Sequence, residues 1–239
     1  MDTLNIDQHI SQQYNEDLEE LRAKVMQMGG VVEEQMAMAI KALINGDPGL
    51  AETVIEQDHR VKSMEVEIDE ECTRIMARRQ PAASDLRLVL AVIKTINDLE
   101  RIGDEVKRVG KMVREEMEGA LAEEIRNELE HMGELVREML RNVLDAFART
   151  DVDMAAHVVR SDHKVDVKYT SITRQLITYM AQDTTMIPVT LKVLWAARAI
   201  ERMGDRCQNI AEYVIYLVLG VNVRYAALDD IMAEIESGQ

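Results

Sequence analysis

Twice in this 239-residue chain an Arg and a Gly lie between two carboxylates spaced four residues apart, as Glu100-Arg101-Ile102-Gly103-Asp104 and as Glu201-Arg202-Met203-Gly204-Asp205. On a helix that spacing sends both acids of a pair out of one face, where they repel by only a few tenths of a kcal/mol in water. Arg198, Arg202, Lys107 and Arg108 fall three or four residues from members of the pairs, so the plainest reading is a solvated, salt-bridged face. A sharper one comes from Gly103 and Gly204. A mid-helix Gly costs about 1 kcal/mol relative to Ala and signals close approach by a neighbouring element. If that neighbour carries Asp58, or Asp162 with Asp166, four oxygen-rich side chains converge across a groove. Converging carboxylates must be protonated or bound to cations, and hard oxygen ligation suits iron, manganese, magnesium or calcium, with zinc less favoured. No nucleophile-base arrangement, Gly-rich phosphate loop or Walker segment is present, so direct phosphate chemistry has no visible machinery.

The elements that must position these acids are helices. Breaks fall at Asn45-Gly46-Asp47-Pro48, at Arg79-Gln80-Pro81 through Ser84-Asp85, at Gly119, at Thr150-Asp151, and at Asp183-Thr184-Thr185 before Pro188. They predict helices over 8–45, 48–79, 84–117, 121–149, 152–182 and 186–219, most of them about 45–55 Å long at ~1.5 Å per residue. Leu18, Leu21, Val25, Met28 and Val32 recur at alternating spacings of three and four, as do Val158, Val165, Tyr169, Ile172, Leu176 and Tyr179. In the third helix the core line runs through Val92, Leu99, Gly103, Val106 and Val113, with Glu100 and Asp104 on its flank. Two-residue alternation is nowhere sustained. The fold class is all-α.

The helices also repeat. Asp162-His163 matches Asp58-His59 and Met180-Ala181 matches Met76-Ala77 at an offset of 104, whereas the acidic pairs match at 101. The three-residue difference falls in the loop holding Pro81, where a surface connection tolerates a length change that packed helices do not. The expected organisation is two tandem, pseudo-repeated three-helix bundles with long helices, over 1–118 and 119–220, followed by a tail over 221–239. That tail places Leu228, Ile231, Met232 and Ile235 at helical spacing, suited to folding back on the bundle or meeting a partner.

Composition narrows the function. The formal charge of -16 repels phosphate backbones and anionic headgroups, which argues against nucleic-acid or direct membrane binding. No stretch reaches the ~20 apolar residues of a spanning helix. Cys72 and Cys207 form neither a disulfide framework nor a zinc pattern, and the first residues show no secretory signal, so free thiols in the cytoplasm are expected. Sixteen Met on amphipathic stripes favour self-association, and a homodimer is expected.

The two ERxGD segments, the Arg79-Gln80-Pro81 loop followed by Ser84-Asp85-Leu86-Arg87, and the Asp-Arg-Cys-Gln-Asn-Ile run at 205–210 resemble the PhoU family over nearly the whole chain. The resemblance implies a non-enzymatic regulator that shuts down phosphate-starvation signalling when phosphate is plentiful. It implies as partners the ATPase subunit of the phosphate ABC transporter and the sensor histidine kinase of the starvation response, reached peripherally at the inner membrane. It also implies surface metal ions, iron, manganese, magnesium or zinc, on E(D)xxxD motifs. Carried onto this chain, that pattern designates Asp162, Asp166, Glu201 and Asp205 in the second repeat, and Asp58, Glu100 and Asp104 in the first. The first repeat departs from the pattern at Lys62, where Asp166 has its counterpart. An ammonium there neutralises the cluster in place of a metal, so the second site is expected to bind metal more readily.

Two rivals stand beside this reading. A metal-independent helical scaffold would use the acidic pairs only for solubility or docking. A ferritin-like di-iron carboxylate enzyme would need Glu-x-x-His motifs aimed into the core, and Glu56-x-x-His59 and Glu128-x-x-His131 have that spacing. They are not repeat equivalents, because His163 has Arg160 in the Glu position.

Overall fold

A computed structural model of the chain describes residues 4–79, 81, 83–114, 122–221 and 223. The described residues form six long helices and no strand: α1 (Leu4–Asn45), α2 (Pro48–Arg79), α3 (Ala83–Arg114), α4 (Glu123–Arg149), α5 (Val152–Gln182) and α6 (Ile187–Leu219). A 3-10 turn, Thr184–Met186, leads into α6, so that helix begins one residue later than its pattern suggests, with Pro188 in its first turn. The break expected at Gly119 and the tail from 224 onward lie outside the described residues.

Equivalent chemistry ends α1 and α4. Gly46 and Thr150 both adopt left-handed backbone, at φ 61° and 54°, the conformation that lets a helix close its last turn. The next residue caps the following helix in each repeat. Asp47 Oδ1 accepts from the Leu50 amide at 3.0 Å and Asp151 Oδ1 from the Met154 amide at 2.9 Å.

The stripes read from periodicity are buried. Leu18, Leu21, Val25, Met28 and Val32 on α1, and Val158, Val165, Ile172 and Leu176 on α5, are all interior, while Tyr169 and Tyr179 pack at the margin. So are Val92, Leu99, Val106 and Val113 on α3, and both cysteines, whose thiols are free and pushed up by burial, Cys72 to about 12. α1, α2 and α3 form one bundle and α4, α5 and α6 the other.

The bundles are not separate bodies, however, because a single apolar core runs through both. Two antiparallel helix pairs join them. In the α1/α4 pair the packing is reciprocal: a Cβ on Gly29 would run into Leu144, and one on Gly133 would lie 2.8–3.1 Å from three Ile40 side-chain atoms. Gly133 is the repeat equivalent of Gly29 and Leu144 that of Ile40, each 104 residues on. In the α3/α6 pair Asp98, buried, accepts from Arg206 at 3.1 Å and from the Tyr213 hydroxyl at 2.9 Å. Glu105 accepts from Arg108 and, across the pair, from Arg202.

Candidate functional site

The acidic pairs sit at two equivalent seams, where α2 packs on α3 and α5 on α6. Gly103 and Gly204 allow the approach. A Cβ at Gly103 would contact Val61 at 3.4 Å, and one at Gly204 would contact Val165 at 3.5 Å and the Asp162 carboxylate at 3.3 Å. The Gly-Val contact is therefore common to both seams, and in the second the glycine also makes room for a buried carboxylate.

At the first seam Asp58, Glu100 and Asp104 come together around Lys62. Its ammonium lies 3.1 Å from Asp58, 2.9 Å from Asp104 and 3.9 Å from Glu100. Lys107 adds a second cation, 2.7 Å from the same Asp58 oxygen. Burial alone would raise the Asp58 carboxyl, but hydrogen bonds from Lys107 and Lys62 hold it below its ordinary range. The hydrogen bond to Asp104 raises the Lys62 ammonium in turn. Glu100, with the weakest share of the lysine, is pushed up by burial and by Asp104.

The second seam holds no such cation at its centre. Asp162 and Glu201 are buried, Asp205 is half-buried and Asp166 is exposed. Burial, then the charges of Asp166 and Asp205, push the Asp162 carboxyl up to about 6. Burial, then Asp205, push Glu201 up to about 7, although Arg198 donates to its Oε1. Asp205 is also raised, chiefly by burial. No donor among the described residues reaches the buried Glu201 Oε2. A buried carboxylate oxygen without a partner costs about 1–3 kcal/mol or more, so this seam favours either a proton or a cation. The donor set, all oxygen, suits a hard metal ion. Among the described residues, however, no group of three or more His, Cys, Asp or Glu side chains is preformed to hold one. The charges are close enough to act on one another without having converged on a single point.

His59 and His163 stand at the margin of these clusters, and the charge of His163 opposes the rise of the Asp162 carboxyl. His59 and His163 are exposed, and His59 Nδ1 lies 2.6 Å from its own helix's Glu56 carbonyl. The Glu-x-x-His pairs do not reach the core either, since His59 and His131 both face solvent and Glu128 pairs with Lys168 at 2.9 Å. Sequence reasoning placed Lys107 only beside Asp104 on its own helix. Its contact with Asp58 on α2 is not given by helical spacing, and its equivalent 101 residues on is the uncharged Gln208.

Fold and seams together define a class: duplicated three-helix-bundle proteins with carboxylate pairs along matching helix seams. A PhoU domain profile matches residues 25–113 and again residues 129–214. The chain is 49% identical over 231 residues to the phosphate-specific transport system accessory protein PhoU of Escherichia coli K12, covering 97% of this chain and 95% of that one. It is 46% identical over 231 residues to the homologue from Pseudomonas aeruginosa. Among solved structures it matches the crystal structure of PhoU from Pseudomonas aeruginosa at a TM-score of 0.84 and 47% identity, over 87% of this chain and 100% of that one. The phosphate transport system regulatory protein PhoU from Streptococcus pneumoniae matches at 0.82 and 31%, over 88% and 99%. This chain belongs to the PhoU family. No described helix is long and apolar enough to cross a membrane.

Proposed function

We propose that this chain is a non-enzymatic regulator of phosphate uptake that restrains phosphate-starvation two-component signalling. It does so by coupling the ATPase subunit of the phosphate ABC transporter to the sensor histidine kinase. It works in the cytoplasm, peripheral to the inner membrane through those partners, and as a homodimer. The observation that carries the reading is near-full-length identity to a named phosphate-transport accessory protein, 49% over 97% of this chain. Deletion of the gene tests it: phosphate-scavenging enzymes should stay on in phosphate-rich medium, and unchanged repression would overturn the regulatory role.

The seams serve this role unequally. Asp162, Asp166, Glu201 and Asp205 hold a divalent or ferric cation, iron, manganese, magnesium or zinc, which supplies a partner to the Glu201 Oε2 that Arg198, bonded to Oε1, leaves unmet. Asp58, Glu100 and Asp104 have Lys62 and Lys107 in that role already. The first repeat thus binds metal less readily than the second, and a wholly metal-independent scaffold is the alternative. Elemental analysis of untagged protein before and after chelation separates the two, with about one equivalent of metal expected and none in an Asp162→Ala variant. Metal retained in full by that variant would remove the second seam from consideration.

A further inference from the structure

The solvent face of the α3/α6 pair has a chemistry opposite to that of the molecule as a whole. The chain carries a net charge of -16, yet this face presents Lys94, Arg101 and Arg108 from α3, and Arg202 and Arg206 from α6. Lys94, Arg101 and Arg108 are seven residues apart, two helical turns, and so share one side of α3. The shared acids place the α6 cations beside them: Arg108 and Arg202 both reach Glu105, and Arg206 reaches Asp98. The guanidiniums are 40–56% exposed, whereas Asp98, Glu100 and Glu105, which they touch, are only 5–15% exposed. The acids are sunk and the cations stand outward.

Aromatic and apolar groups interleave with those cations. Trp195, seven residues before Arg202, is 55% exposed, and Leu90 on α3 is 37% exposed. Lys94 lies 5.4 Å from the Tyr213 ring centre and 5.6 Å from that of Tyr216. Each guanidinium has five N–H donors, and among the described residues the buried acids engage only one or two, so donors remain to meet a further carboxylate.

We propose that this face docks an acidic, amphipathic helical segment of a partner protein. The α3 cations recur about every 10.5 Å, the rise over which a guest helix presents carboxylates seven residues apart. Trp195, Leu90 and the tyrosines supply the apolar contact that such a helix needs between its acids. Width selects against the other anionic surfaces. The basic strip is two helices across, with axes about 8–10 Å apart. Beyond it lie the seam carboxylates, Asp104 on the α3 side and Asp205 with Asp166 on the α6 side. A lipid plane or a nucleic-acid duplex would meet those acids as well; a single helix lies between them. The inference extends the partner-coupling reading above by naming its surface and the chemistry of the bound segment.

Trp195 is the only tryptophan in the chain, so its fluorescence reports this face without a label. The full chain is titrated with a 21-residue synthetic helix carrying Glu at seven-residue spacing beside a Leu stripe, and the affinity is confirmed by calorimetry. The expected result is a blue shift of Trp195 emission, with binding weakened at least fivefold between 50 and 300 mM salt. Arg101→Glu/Arg108→Glu should weaken it at least tenfold, and the milder Arg101→Gln/Arg108→Gln pair by an intermediate factor, both checked for native helicity. Arg74→Glu, which reverses a cation of similar exposure on α2, should change the affinity less than twofold. The proposal is overturned if the Glu peptide produces no shift, or if Arg74→Glu costs as much as the α3 reversals. It is equally overturned if phosphatidylglycerol vesicles bind in its place, or if the peptide binds only after removal of residues 224–239. The gene-deletion phenotype does not enter this measurement. A lost peptide interaction leaves the regulatory role standing, and a failed deletion test leaves the measured surface standing.

Discussion

The α2/α3 and α5/α6 seams share a backbone plan and differ at two decisive side chains. Where the first has Lys62 and Lys107, the second has Asp166 and Gln208. In the first, two ammonium groups reach Asp58 and one of them also reaches Asp104, so the acidic cluster carries its own counter-charge. In the second, the same geometry leaves Glu201 Oε2 without a donor among the described residues, and two carboxyls are lifted to about 6 and about 7. A packed seam thus tolerates an acidic cluster by carrying its counter-charge covalently or by taking it from solution. Which of the two applies rests on very few residues.

Exchanging those residues is the strongest way to break the comparison. Asp166→Lys should make the second seam resemble the first and lower Mn2+ affinity about a hundredfold, ~2.7 kcal/mol. Lys62→Asp should raise first-seam affinity about tenfold, ~1.4 kcal/mol, in the same calorimetric titration. Equal affinities of the Asp58→Ala and Asp162→Ala variants would show that the seams are not different at all.

Acidity separates the seams next. A carboxyl raised on folding binds its proton more tightly in the native state, so Asp162 and Glu201 stabilise the metal-free fold at low pH. That contribution is complete below their unfolded values of 3.8 and 4.5 and is lost as pH rises through about 6 and about 7. Urea unfolding of chelated protein should show a loss of about 2–3 kcal/mol across that window, flattened by saturating Mn2+ or by Glu201→Gln. Asp58 has the opposite sign. Its lowered pKa gives a contribution that is present above 3.8 and is lost only as pH falls below that.

Smaller effects test the reciprocity of α1 and α4. Gly133→Ala sets a methyl against the β-branched Ile40 and should cost about 1–2 kcal/mol net, overpacking less the gain in helix propensity. Gly29→Ala should cost less than ~1 kcal/mol, since the atoms it meets are at the end of a Leu144 side chain that swings away. The smallest difference is at the left-handed caps. Thr150→Gly should stabilise the chain by about 0.5–1 kcal/mol in denaturant melts by relieving a β-branched residue at φ 54°, where the first repeat has Gly46 already.

Much of this architecture is legible in the chain because long helices announce themselves. Pro48 after Asp47 starts α2, the three-four spacing of Leu18 through Val32 marks a buried stripe, and the 104 and 101 offsets expose the duplication. Helical spacing also locates the seam acids, and the family pattern laid over the repeat singles out Lys62. The pairing of bundles is less visible. Nothing local in Gly29 identifies Leu144 as its neighbour, and Gly133 carries no signal apart from its place in the repeat. Lys107 illustrates the same limit, since helical spacing sets it beside Asp104, three residues back, and its short contact is with Asp58 on another helix. The basic face on α3/α6 escapes composition, because a net charge of -16 hides a local cluster of five cations and packing removes Asp98 and Glu105 from its surface.

The contact between α1 and α4 is isologous: position 29 of one half receives position 144 of the other, and 133 receives 40. Such mutual contacts are those of a two-fold dimer, here contained within a single polypeptide. Two identical subunits would have to carry every substitution twice, once on each side of the axis. A fused pair is released from that obligation. One half can therefore keep Asp98 where its counterpart has Ala199, and one can gain a lysine where the other keeps an aspartate, with the shared axis left in place.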